Sequence, residues 1–117
     1  MNFSVRSQPL GESAVVVVLT GEVDLYTAPR FKDELGRAIE GGSRYVIVDL
    51  TETTFIDSTT LGVLVDGLRR LRPHGAELML VLSDPNLRKI FQITGLDRVV
   101  PVYETRGAAL DHCSVEA

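Results

Sequence analysis

Tyr45-Val46-Ile47-Val48-Asp49-Leu50-Thr51-Glu52-Thr53-Thr54-Phe55-Ile56-Asp57-Ser58-Thr59-Thr60-Leu61-Gly62 holds a strand, a junction and a helix start in succession. Residues 45–50 are almost wholly aliphatic and β-branched, the pattern of a strand covered on both faces. Beyond the junction the period changes. Leu61, Leu64, Val65, Leu68 and Leu71 recur on one side of a helix that begins near Ser58. Pro73 and Gly75 stop it. Strand, junction and helix in this order are half of a parallel βαβ unit.

The same alternation extends to both sides. Phe3, Val5 and Ser7 alternate with polar residues, as in a half-buried strand, and residues 9–12 read as a turn. Residues 14–19 are a second buried strand, so the chain opens on a hairpin. Thr27 is placed as an N-cap with Pro29 in the first turn. Phe31, Leu35, Ala38 and Ile39 follow at helical spacing until Gly41-Gly42. Residues 77–82 predict a strand, Asp84-Pro85 a helix start and Gly95 its end. A last strand over 99–103 and a helix over 105–112 complete the order β-β-α-β-α-β-α-β-α. The expected fold class is α/β: a mixed sheet of about five strands with an N-terminal hairpin and about four helices, one domain over 1–117. In such a sheet the functional edge is the one at the carboxyl ends of the strands. Residues 22–26 and 54–60 both fall there.

Composition narrows the function. The chain has 117 residues, 44% hydrophobic and 24% charged, with a net charge of −4. That balance argues against direct nucleic-acid binding. Arg69, Arg70 and Arg72 form the only basic cluster and read as a solvated helix end. The single cysteine, Cys113, excludes an internal disulfide, and neither His74 nor His112 has metal-ligand company. No secretory leader is visible in the first residues. The longest apolar run, 14–19, is too short to span a membrane, so the chain reads as soluble and cytoplasmic.

Asp24, Asp57 and Ser58 are the polar candidates on the functional edge. At a helix start Ser58 serves as a cap, as a phosphate acceptor, or as both, because the free N–H groups and the helix dipole favour an oxygen or an added anion. Hydrolysis is disfavoured. Ile56 and Thr60 stand where a nucleophile elbow carries glycines, and His74 lies about 24 Å along the helix from Ser58. No Gly-rich phosphate loop exists, and two carboxylates are too few for a metal site, so neither cofactor nor metal is expected. On the predicted helix, Thr59, Val63, Asp66 and Arg70 lie opposite the apolar stripe. Val63 thus becomes an exposed apolar contact beside Ser58.

Gly21-Glu22-Val23-Asp24 with Ala28, Val48-Asp49-Leu50, Phe55-Ile56-Asp57-Ser58-Thr59 with Leu61-Gly62, and Gly95-Leu96-Asp97 with Val102-Tyr103 together resemble the bacterial anti-sigma factor antagonists of the STAS domain family. The resemblance covers nearly the whole chain and implies a non-enzymatic partner switch. The Ser after Asp, here Ser58, is phosphorylated by an anti-sigma factor that is also an ATP-dependent Ser kinase. The unmodified antagonist binds that factor and frees sigma, and a phosphatase resets the phosphorylated form. Asp24 and Asp57 match acidic positions flanking the acceptor. Together with Thr59, Thr60 and Val63 they are the expected partner contacts. Thr60 departs from the glycine often found there. The alternative within the family is a STAS subunit of a lipid-transport or signalling complex in which Ser58 is only a helix cap.

Overall fold

A computed structural model describes residues 2–116, so the two ends of the expected 1–117 domain, Met1 and Ala117, lie outside it. Five strands form one sheet in the order β1-β2-β3-β4-β5. β1 (Phe3–Leu10) and β2 (Ala14–Val23) make the antiparallel hairpin. β3 (Tyr45–Ile56), β4 (Glu77–Val81) and β5 (Val102–Tyr103) each add in parallel. Every crossover steps one strand in the same direction, and right-handed crossovers then place all three connecting helices on one face. These are α1 (Ala28–Glu40), α2 (Ser58–Leu71) and α3 (Pro85–Thr94). They enclose the main core around Phe31, Leu35, Leu64, Leu80 and Phe91.

Among the described residues the other face carries only α4 (Arg106–Glu116), which lays Ala109 and Cys113 on Tyr45, Ile47 and Met79. One polar contact fixes it. The Arg106 Nε donates to the Asp49 Oδ2 at 2.5 Å, and Asp49 is only 2% exposed. The Thr51 N–H and Oγ1 satisfy the other oxygen at 2.9 and 2.7 Å. Removing the guanidinium leaves a buried carboxylate short of a donor. Arg106→Ala is therefore expected to destabilise the fold by about 2 kcal/mol, a figure reduced for the partial exposure of the arginine. Urea unfolding checks it, and an unchanged midpoint would show that α4 docks by apolar contact alone.

The helices end where local chemistry dictates. Gly42, Gly75 and Gly95 all have positive φ (81°, 68° and 75°), Gly42 and Gly95 just beyond α1 and α3 and Gly75 after the 3-10 turn Arg72–His74 that follows α2. The Asp84 Oδ1 caps α3 by accepting from the Asn86 N–H at 2.8 Å. Thr27 stands at the α1 N-cap, but its hydroxyl turns back to donate to the Glu22 carbonyl instead of capping. Glu34 joins α1 to the edge strand. It accepts from the Ser7 hydroxyl and from Arg37, and these two partners, Ser7 foremost, hold its carboxyl below the usual carboxylate range.

Several boundaries differ from the sequence expectation, among them β2, which runs on to Val23 rather than stopping at Leu19, and α4, which runs on to Glu116 rather than His112. β1 continues through Pro9 to Leu10, because the hairpin register pairs Pro9 with Val15 and Leu10 with Ala14. β3 continues to Ile56 rather than stopping at Leu50, because Thr53, Phe55 and Ile56 pair with Gly21, Glu22 and Val23 across two register shifts. β5 is reduced to Val102–Tyr103, because the chain after Gly95 first turns through a short 3-10 segment, Leu96–Arg98.

Candidate functional site

The extended β3 carries the junction to the carboxyl edge of the sheet. Val23 and Ile56 are register partners at the ends of β2 and β3, so the segments that follow, Asp24 onward and Asp57 onward, start side by side. Thr60 ties them together. Its Oγ1 donates to the Val23 carbonyl at 3.0 Å from a fully buried position, 0% exposed. Thr60 was expected to offer a hydroxyl to a partner. It is instead a structural bolt between the first turn of α2 and the end of β2.

The cap of α2 is Asp57, not Ser58. The Asp57 backbone is extended, and its Oδ1 accepts from the Thr59 and Thr60 N–H groups at 3.0 and 3.3 Å. Ser58 is the first helical residue, exposed, and no described residue hydrogen-bonds to its hydroxyl. A role for Ser58 as merely a helix cap is therefore excluded by the geometry, since that work is done one residue earlier. Asp24 is likewise engaged locally. Its Oδ1 accepts from the Tyr26 N–H at 2.9 Å and from the Thr27 N–H at 3.1 Å. Such side-chain-to-backbone bonds hold a turn in one shape.

That turn presents two side chains which the sequence reading passed over. Leu25 is 64% exposed and Tyr26 81%. Phe55, the next-to-last residue of β3, is 49% exposed and opposite Glu22 in register. Large apolar residues in a short segment between a strand end and a helix cap have no periodicity to absorb them. That was the available signal. Val63 is corrected as well. It is half-buried and packs against the core, because the buried face of α2 is Thr60, Leu64, Gly67 and Leu71. Thr59 is half-buried, and Gly62 and Asp66 are exposed with Ser58.

The edge thus combines an unoccupied hydroxyl, three exposed apolar side chains and the acids Glu22, Asp24 and Asp57. Neither histidine approaches it. His74 lies in the 3-10 turn beyond the far end of α2, and His112 packs against Tyr45 and Tyr103 under α4. Among the described residues no group of three or more His, Cys, Asp or Glu could hold a metal. No described helix is long and apolar enough to cross a membrane. Burial, foremost, pushes the Cys113 thiol up, which suits a packing role.

The sequence matches the STAS domain family over residues 8–109. The anti-sigma-B factor antagonist of Listeria monocytogenes is 33% identical over 107 residues, which cover 92% of this chain and 94% of that protein. An anti-sigma factor antagonist from Mycobacterium paratuberculosis has a similar structure, with a TM-score of 0.88 and 25% identity over 95% of this chain and 93% of that one. The Bacillus cell fate determinant SpoIIAA, solved in its phosphorylated form, shares the fold with a TM-score of 0.74 and 23% identity over 94% and 99% of the two chains.

Proposed function

The chain belongs to the STAS domain family, and on that premise we propose that it is an anti-sigma factor antagonist switched by phosphorylation of Ser58. The unmodified protein binds an anti-sigma factor that is also a Ser kinase, and sigma is released. Phosphate on Ser58 ends that binding, and a phosphatase restores it. The chain performs no chemistry of its own in this scheme.

The observation that carries the reading is the division of labour at the start of α2. Asp57 caps the helix, so the Ser58 hydroxyl is exposed and takes no hydrogen-bond partner among the described residues. A phosphate there lies at a helix N-terminus, where the dipole favours it by about 0.3–1 kcal/mol. The exposed Leu25, Tyr26 and Phe55 supply the apolar centre of the proposed interface in place of Thr60 and Val63. Glu22, Asp24 and Asp57 give it an acidic rim that suits a basic partner surface.

Incubation with the cognate anti-sigma factor and ATP is expected to place phosphate on Ser58, located by mass spectrometry of the peptide. Ser58→Ala should abolish incorporation. Equal labelling of that variant, or phosphate found on Thr59, would reject Ser58 as the acceptor.

A further inference from the structure

The carboxyl edge has two halves. Ser58 opens α2, whereas the exposed Leu25 and Tyr26 follow the end of β2. The backbone ladder that joins the two sides is interrupted on its way to this edge. It shifts register between Val18 and Thr20, where Leu19 falls in the gap, and again between Gly21 and Glu22. Two threonine hydroxyls reach carbonyls of β2 over this stretch. The Thr53 Oγ1 donates to the Leu19 carbonyl and the Thr60 Oγ1 to the Val23 carbonyl, each at 3.0 Å. Both residues are buried.

Thr60 stands nearer the edge and is tied on both sides. Its N–H donates to the capping residue Asp57, to the carbonyl at 3.1 Å and to the Oδ1 at 3.3 Å. Its hydroxyl grips Val23, and the next residue is Asp24. The turn that follows is closed on itself. The Asp24 Oδ1 accepts from the Tyr26 and Thr27 N–H groups. The Asp24 N–H donates to the Thr27 Oγ1 at 2.9 Å, and that hydroxyl donates to the Glu22 carbonyl at 3.1 Å. Such a turn moves as one piece, so its place relative to Ser58 depends on how the end of β2 is anchored. Thr60 is 0% exposed, so a partner cannot touch it and it acts through Val23 and Asp24.

On the premise of the function proposed above, we propose that Thr60 is a positioning residue. Its hydroxyl fixes the Leu25–Tyr26 turn against Ser58, so the anti-sigma factor meets the acceptor and the apolar anchor already in register. Ordering a loop during association costs binding free energy, and a surface set in advance by the fold avoids that cost. Valine has nearly the shape of threonine but no donor, so it leaves the buried Val23 carbonyl without this partner.

Wild type, Thr60→Val and Thr60→Ser are compared as substrates of the cognate anti-sigma factor with ATP, at a temperature where circular dichroism shows each folded. Hydrogen exchange is followed in the free ¹⁵N-labelled chains. Thr60→Val is expected to raise KM for this chain about tenfold with kcat nearly unchanged. It should also speed exchange of the Tyr26 and Thr27 amides about tenfold. Thr60→Ser, which keeps the donor, should restore both. Should Thr60→Val fail to fold, Thr60→Ala removes the same donor and is read in the same way. Unchanged exchange at Tyr26 would overturn the proposal. So would a fall in kcat at constant KM, or a serine variant that behaves like valine. Equal acceleration at Phe91 in α3 would overturn it too, since the loss would then be of global stability. If wild type takes no phosphate, the proposed function fails, and the exchange rates alone decide whether Thr60 holds the turn.

Discussion

Ser58→Asp is expected to lower affinity for the cognate anti-sigma factor about 100-fold, or about 2.7 kcal/mol, while Ser58→Ala stays within a few-fold of wild type. The asymmetry follows from where the side chain sits. Ser58 is exposed and makes no hydrogen bond with any described residue, so alanine removes nothing that the fold uses. Aspartate adds a carboxylate to an edge that already holds Glu22, Asp24 and Asp57, and a partner closing over it must strip its water without supplying a matching cation. Phosphate, at about −1.5 to −2 charges, should act more strongly still. Both variants should melt with wild type, since the cap belongs to Asp57. Titration calorimetry against the anti-sigma factor decides the matter. Wild-type affinity for Ser58→Asp would remove the electrostatic switch, and a large drop in melting temperature would move the effect from the interface to the fold.

Gly21→Ala is expected to cost about 4 kcal/mol, against about 1 kcal/mol for Gly42→Ala. Both glycines have positive φ, 88° and 81°. Around Gly42 there is open space, so only the conformational penalty applies. At Gly21 a methyl group would lie 1.9 Å from the Asn2 carbonyl oxygen and 2.7 Å from its carbon. Those atoms are backbone of the neighbouring segment, held by the hydrogen bond that the Glu22 N–H donates to the Asn2 carbonyl at 3.0 Å. No rotamer relieves the clash, so the start of β1 must leave β2. Urea denaturation of the two variants gives the comparison, and equal losses would show that the start of β1 yields freely.

The parts of the fold that local chemistry specifies were legible. Asp84-Pro85 marks a helix start and Gly42, Gly75 and Gly95 mark helix ends because one residue's conformation decides each. The length of β3 was not legible, since its second half, with Thr51, Glu52, Thr53 and Thr54, is polar and is a strand only because β3 itself bulges, taking an extra residue at each of two register shifts, to stay paired with β2. The buried face of α2 reaches further round than the apolar stripe, whose Leu61, Leu64, Val65, Leu68 and Leu71 all pack on the core, for a related reason. Thr60 and Gly67 lie inward because of what they meet. One reaches the Val23 carbonyl, and the other leaves room for Leu35, whose Cδ2 would be 2.9 Å from an added methyl. A scale that ranks residues by hydrophobicity does not see either partner. Asp57-Ser58 were legible as the start of a helix at the carboxyl edge of the sheet, but the allocation of cap and free hydroxyl between them depends on one residue of helix phase. Leu25, Tyr26 and Phe55 required the surface itself.

The separation of the cap, Asp57, from the proposed acceptor, Ser58, has a consequence for turnover. Proteolysis in cells follows the population of unfolded chains, and a modification that leaves folding free energy unchanged leaves lifetime unchanged. Spent molecules would then persist as a reserve instead of being cleared. The active fraction would be governed by opposing phosphorylation and dephosphorylation fluxes, and a response would begin from stored protein without new synthesis.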